Sequence, residues 1–326
     1  MKKIYGNEYL LSTLGSMVRR DKAAHTVLFY GEKGSGRKLM AKYYTTLLMC
    51  ESPEDGRPCG KCRGCQTTGR LTNPDVTYVP SSGKLGGYSV ETARSVISDA
   101  FVMPNNSSGR KVYIFTDCHS VDPRTQNTLL KLIEEPPDHA YFIFTSESKS
   151  DFLPTVISRC ACFGTSLCTE QEAAAALAEA GHSEEDIKRA VSCFHGNIGM
   201  CESYIVNEQL RKRVDLTKSL ADSIIRKDEY TLNALFFSAS RERNEVREVL
   251  SMLGKLVRDA AVLARAPESA DIGCSRRDAL RLSRGITAYQ AARINVHVEK
   301  AWRAIESNVS IPLVLSALCA DIMNTI

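Results

Sequence analysis

Short uninterrupted apolar runs, separated by helix-length segments, constrain this chain more than any other feature. VLFY at 27–30, VYIFT at 112–116 and YFIFT at 141–145 are rich in β-branched and aromatic residues. Such runs suit strands covered on both faces, because a half-exposed strand would alternate apolar with polar residues. DVTYV at 75–79 reads as a further strand. Helix-like stretches run from Arg37 to Met49, over residues 90–103, and from near Asp122 to Glu135, where Pro136 and Pro137 stop the last of them. Strands alternating with helices imply a parallel α/β sheet flanked by helices.

The pattern changes after about residue 165. Thr169 followed by Glu172 is a capping box that opens TEQEAAAALAEA, and Gly181 stands where a C-terminal glycine stop belongs. Ser183 with Asp186 resembles a second helix start. Residues 166–205 therefore read as a small helical lid domain. From 206 to 326 there is no strand-like alternation, and Pro267 and Pro312 are the only prolines, so long amphipathic helices are expected. The predicted division is 1–165, 166–205 and 206–326.

A chain of 326 residues allows two or three domains. No apolar run approaches the roughly 20 residues that span a bilayer. MKKIYGNEYL at the N-terminus carries two lysines with no apolar stretch behind them, so no membrane association and a cytoplasmic location are expected. The net charge of +4 falls entirely in residues 206–326, where 19 Lys and Arg stand against 15 Asp and Glu. That excess fits a solvated helical surface as well as it fits a nucleic-acid contact.

A strand, then Gly31-x-x-x-x-Gly36, then a helix is the context of a phosphate-binding loop. In such a loop, backbone N–H groups, including those of the glycines at 31, 34 and 36, and the helix N-terminus cradle phosphate oxygens. The full pattern continues with lysine, which reaches the β/γ-phosphates, and a hydroxyl residue, which holds Mg²⁺. Here those positions are Arg37 and Lys38. A planar guanidinium replaces a compact ammonium, and a second cation stands where a metal ligand belongs. The strand VYIFT should end on an acidic metal-supporting residue followed by a catalytic glutamate. The chain has Thr116 and then Asp117, one methylene short. With both magnesium anchors missing, no ATP hydrolysis by this chain alone is expected, while passive nucleotide binding is left open. An ordinary strand-to-helix turn is the bland alternative for the loop.

Of the 12 cysteines, four cluster in the pattern Cys50-x8-Cys59-x2-Cys62-x2-Cys65. Four thiolates this close in sequence can close a tetrahedral Zn²⁺ site with no open position, hence a structural one. Binding on the order of 10 kcal/mol can fold a loop that has no core of its own. Free buried cysteines are the alternative. Cys160, Cys162, Cys193 and Cys319 lie among apolar residues and read as small core residues.

Several segments together carry a specific resemblance. His25 to Gly31 (HTVLFYG), the four-cysteine module, Asn127 to Pro137 (NTLLKLIEEPP) and Ser158-Arg159-Cys160 resemble the delta-prime family of bacterial DNA polymerase III clamp-loader subunits, relatives of the gamma/tau ATPases in the AAA+ class. The match is specific over 1–165, moderate over 166–205, and one of length and helical character beyond. It implies an AAA+ module, a lid, and a collar that joins subunits into a ring with gamma/tau and delta. It further implies a role within the polymerase holoenzyme in loading the sliding clamp on primed DNA. In that family the arginine of S-R-C reaches a neighbour's ATP, so Arg159 is implied to be an arginine finger in trans; the bland reading is a surface arginine at a helix end. Thr145 falls at the sensor-1 position, and Gly199 stands where active relatives carry a second sensor arginine. The alternatives are a catalytic gamma/tau-type ATPase with an unusual loop, and a stand-alone zinc-dependent DNA-binding protein.

Overall fold

The computed structural model describes residues 3–81, 87–238, 242–269 and 272–326. The chain divides into two compact units, Met1–Glu172 and Ala173–Ile326.

The first unit holds five strands: β1 (Thr26–Tyr30), β2 (Val76–Tyr78), β3 (Lys111–Phe115), β4 (Ala140–Ser146) and β5 (Ala161–Gly164). They form one sheet in the order β2-β3-β4-β1-β5. Every neighbouring pair is parallel. The helices of this unit are α1 (Glu8–Arg19), α2 (Arg37–Leu48), α3 (Arg63–Gly69), α4 (Val90–Ala100), α5 (Pro123–Glu134) and the short α6 (Pro154–Ile157). The apolar runs are uninterrupted because both sheet faces are covered. Val27, Phe29, Val112, Ile114, Tyr141 and Ile143 face a core shared with α1 and α2. The intervening Leu28, Tyr113, Phe115, Phe142 and Phe144 face a second core with α4 and α5. On that side Tyr113 stacks on Phe142 and Phe115 on Phe144, with ring centroids 5.4 and 4.8 Å apart. Such cross-strand aromatic pairs favour this register over a slipped one.

Two elements depart from the sequence reading. The stretch predicted as helical over 90–103 ends at Ala100, and Phe101, Val102 and Met103 are exposed beyond it. Strand β5, ACFG, went unforeseen: it is an edge strand of four residues, too short for its apolar stretch to stand out in the sequence. Cys160 just before it and Cys162 within it are only half-buried, whereas Cys193 and Cys319 are buried as expected.

The second unit is helical in its described residues. It takes in most of α7 (Glu170–Glu179), then α8 (Glu184–Phe194), α9 (Ile198–Val206), α10 (Glu208–Arg226), α11 (Glu229–Ser238), α12 (Arg243–Leu263), α13 (Arg276–Gly285), α14 (Ala288–Glu306) and α15 (Ile311–Met323). The Thr169 hydroxyl accepts from the Glu172 N–H while the Glu172 carboxylate accepts from the Thr169 N–H, completing the predicted capping box. Ser183 caps α8 through the Asp186 N–H, and Gly181 adopts the left-handed φ of +86° that a helix stop requires. Leu177, Ile187, Ala190 and Cys201 form a small cluster across α7–α9. A much larger core, including Leu220, Leu253, Ile294 and Leu318, joins the helices from α10 onward. No helix among the described residues is long and apolar enough to cross a membrane.

Candidate nucleotide loop, cysteine cluster and Arg159

The parallel sheet brings the loops after β1, β3 and β4 to one edge, because Tyr30 pairs with Ser146 and Phe115 with Phe144 at the strands' carboxyl ends. Ligand sites of open α/β sheets form at that edge. The loop after β1 starts at Gly31, whose N–H donates to the Ser146 carbonyl at 3.2 Å. Gly34 and Gly36 have φ of +87° and +91°, a region open to glycine at little cost. The loop is also tied to the start of the segment after β5, where the Ser35 and Thr165 hydroxyls lie 2.7 Å apart.

Arg37 is the first residue of α2, and its side chain is turned inward and only 7% exposed. Its Nη1 donates to the Gly31 carbonyl at 2.7 Å. Its Nη2 lies 3.1 Å from an Asp117 carboxylate oxygen and 3.3 Å from one of Glu147. Lys38 pairs with the other Asp117 oxygen. Asp117 is thus held by both cations. Burial raises its carboxyl, but hydrogen bonds from Lys38 and then Arg37 outweigh that and leave it below the ordinary carboxylate value. Asp117 itself has a left-handed φ of +55°, and its N–H donates to the Thr145 hydroxyl at 3.0 Å. Thr145 is fully buried. The Tyr88 phenol, pushed up to about 12 by burial, donates to the Thr116 carbonyl and accepts from the Thr116 N–H, both at 2.7 Å. The sequence singled out Gly31, Gly34, Gly36, Arg37, Lys38, Thr116, Asp117 and Thr145, and the structure gathers them at one edge. It adds Glu147 and Tyr88, which carry no motif. They are found only once the strand ends are in register.

The chemical consequence is closure of charge. The carboxylate nearest the loop is neutralised by the two side chains that in an active loop would serve phosphate and metal. Nη1 and Nη2 of the guanidinium are committed to Gly31, Asp117 and Glu147, while its buried Nε has no partner among the described residues.

The four cysteines converge as their spacing predicts. All four Sγ atoms lie within 4.8 Å of one another, with Cys62 and Cys50 sulfurs 4.0 Å apart. A tetrahedral S₄ zinc site with Zn–S near 2.3 Å needs sulfurs about 3.8 Å apart. The donor set therefore fits the ion after a contraction of at most about 1 Å. Backbone N–H groups of Cys59 and Cys65 donate to the Cys50 and Cys62 sulfurs, each at 3.3 Å. Hydrogen bonds from the backbone of Cys62, then of Lys61, bring the Cys59 thiol down to about 7, whereas burial raises the Cys50 and Cys65 thiols, so the case for a metal rests on the convergence of the four sulfurs. Gly64, in the first turn of α3, permits close approach of that helix to the end of α2: a Cβ there would meet the Met49 carbonyl oxygen at 2.0 Å.

Arg159 lies just past α6, apart from the loop cluster in its contacts. Its Nε is 2.7 Å from a Glu134 carboxylate oxygen, and its Nη1 donates to the Thr155 carbonyl at 2.9 Å and the Ser158 hydroxyl at 3.2 Å.

Comparison with known proteins follows the same segments. Over 168 residues the chain is 30% identical to DNA polymerase III subunit tau of Bacillus subtilis, covering 52% of this chain and 29% of that one. Over 151 residues it is 30% identical to DNA polymerase III subunit delta' of Pseudomonas aeruginosa, covering 46% of this chain and 45% of the relative. The chain therefore spans less than half the length of either. A Thermotoga maritima structure described as a DNA polymerase III gamma subunit-related protein aligns over 95% of this chain and 98% of its own, at 15% identity and a TM-score of 0.46. The family model described as "DNA polymerase III, delta subunit" matches residues 6–168, half of the chain, and the chain belongs to that family.

Proposed function

We propose that this chain acts as a delta-prime subunit: a non-hydrolysing clamp-loader component that assembles with gamma/tau and delta, and lends Arg159 to a neighbour's ATP while the ring loads the sliding clamp on primed DNA. One observation carries the non-hydrolysing part. Arg37 and Lys38, standing at the phosphate and metal positions, are both committed to Asp117. With Thr116 at the other metal-supporting position, neither of the usual Mg²⁺ anchors is present. The Thr145 hydroxyl accepts from the Asp117 N–H, an inward role in keeping with a loop that does not read nucleotide.

In this reading the protein has three parts: a nucleotide-loop domain over 1–165, a lid over 166–205 and a collar over 206–326. Cys50, Cys59, Cys62 and Cys65 hold a structural zinc whose ligation orders the 50–65 loop and which takes no part in chemistry. Arg159 supports charge on a phosphoryl group bound by the neighbour. Such a contribution is worth about 10³–10⁵ in rate, roughly 4–7 kcal/mol of barrier.

The 30% identity with a tau subunit over 168 residues favours a second reading, a catalytic gamma/tau-type ATPase. Two measurements separate them. The isolated chain should show no magnesium-dependent ATPase and no nucleotide affinity that depends on magnesium; turnover abolished by Arg37→Ala would establish the second reading. In the assembled complex, Arg159→Ala should leave assembly intact and lower turnover at the adjoining ATPase site; unchanged turnover would remove the trans role.

A further inference from the structure

Arg159 does not hang free. The segment that carries it is fastened to α5 at two places. At its start, Gln126 of α5 is buried; its Nε2 donates to the Asp151 carbonyl at 3.1 Å and its Oε1 accepts from the Leu153 N–H at 2.8 Å. At its end, Glu134 grips the Arg159 Nε at 2.7 Å. Nη1 is held by Thr155 and Ser158. Two hydrogen bonds from Nη1 and the ion pair beside Nε restrain the guanidinium from two sides. Nη2 has no hydrogen-bond partner among the described residues and the side chain is 39% exposed, which leaves Nη2 uncommitted.

The placement of Glu134 also asks for a reason. It is the last residue of α5, with Glu135 as the C-cap, at the helix end where the macrodipole disfavours negative charge. The pair is about 40% exposed on both sides, and exposed pairs contribute little stability. Orientation is what the contact supplies.

We propose that Glu134 is a positioning residue for Arg159, holding the guanidinium by Nε with Nη2 uncommitted before a neighbour's nucleotide arrives. The proposal rests on the trans role of Arg159 given above. An oriented donor spends less ordering entropy at the moment of reaction, so the gain belongs in kcat.

The test uses the reconstituted complex in which only the ATPase site adjoining this chain keeps its phosphate-loop lysine. Glu134→Gln, nearly isosteric, should lower kcat about tenfold, with KM for ATP within twofold. Combined with Arg159→Ala it should add no further loss. Arg159→Lys keeps the charge but has no Nε to hold, and should lose at least as much as Glu134→Gln; this variant also reads the question if Glu134→Gln lowers assembly. A kcat drop with Arg159→Ala but none with Glu134→Gln would overturn the positioning role and leave the trans role standing. Independent, multiplying losses in the double variant, or full activity of Arg159→Lys, would overturn it equally. No effect of Arg159→Ala would remove the trans role itself, and the positioning role with it.

Discussion

At the scale of single residues, Arg37 decides the character of the candidate phosphate loop. Sequence reading marks it as the wrong cation for a triphosphate, and Asp117 as a shortened glutamate. It does not show that the two meet, because they are 80 residues apart in sequence and only the β1–β4 and β3–β4 registers together bring them to one edge. The meeting has a stability consequence. Arg37→Ala strips a hydrogen-bond donor from Gly31 and ion-pair partners from Asp117 and Glu147, and should cost about 2–3 kcal/mol, given about 1.5–3 for hydrogen bonds to charged groups. Urea unfolding of the isolated chain measures it. The Asp117 carboxyl is held below its ordinary value in the folded state. Its contribution is therefore complete above the ordinary carboxylate range, about pH 4, and fades as pH falls through the lower folded value. The gap between wild type and Arg37→Ala should narrow below about pH 4. An equal gap at pH 3 and pH 7 would show that the pairing with Asp117 is not its source.

At the scale of elements, the cysteine loop is attached to α1 through two glycines. A Cβ on Gly15 would meet the Gly56 carbonyl oxygen at 2.4 Å, and one on Gly56 would meet the Gly15 backbone at 2.9 Å. Glycine within a helix ordinarily costs about 0.8–1 kcal/mol relative to alanine, so Gly15→Ala would be expected to stabilise α1. The contact reverses the sign. The substitution should destabilise the protein by about 1–3 kcal/mol, the usual range for forcing atoms into a packed contact, and a raised melting temperature would contradict the close approach. The helix signals in the sequence, the capping box at Thr169 among them, are local and so were legible. The end of α4 and the edge strand β5 were not. Apolar Phe101, Val102 and Met103 continue a helical pattern that the chain abandons at Ala100, and the four residues of β5 become a strand only by pairing with β1.

At the scale of the whole molecule, two units with separate cores imply two cooperative transitions rather than one. The four cysteines belong to the first unit. Removing zinc with a strong chelator should lower the transition of that unit and leave the transition of Ala173–Ile326 where it was, as followed by calorimetry with metal content determined alongside. A purified, fully folded chain that binds no zinc would contradict the metal assignment.

The alternation of apolar runs with helices, the spacing of the four thiols and the departures from the phosphate-loop pattern at 37, 38 and 116 are written in local order, so spacing alone determined the parallel sheet and the metal-type cluster and marked those three positions. Which side chains satisfy the charges left over was decided only by tertiary structure. Glu147 reaches Arg37, Tyr88 clasps Thr116 and Glu134 holds Arg159 across separations of 110, 28 and 25 residues. Ion pairs and hydrogen bonds leave no periodic trace in a sequence; they exist once strand register and helix docking bring the groups within about 3 Å.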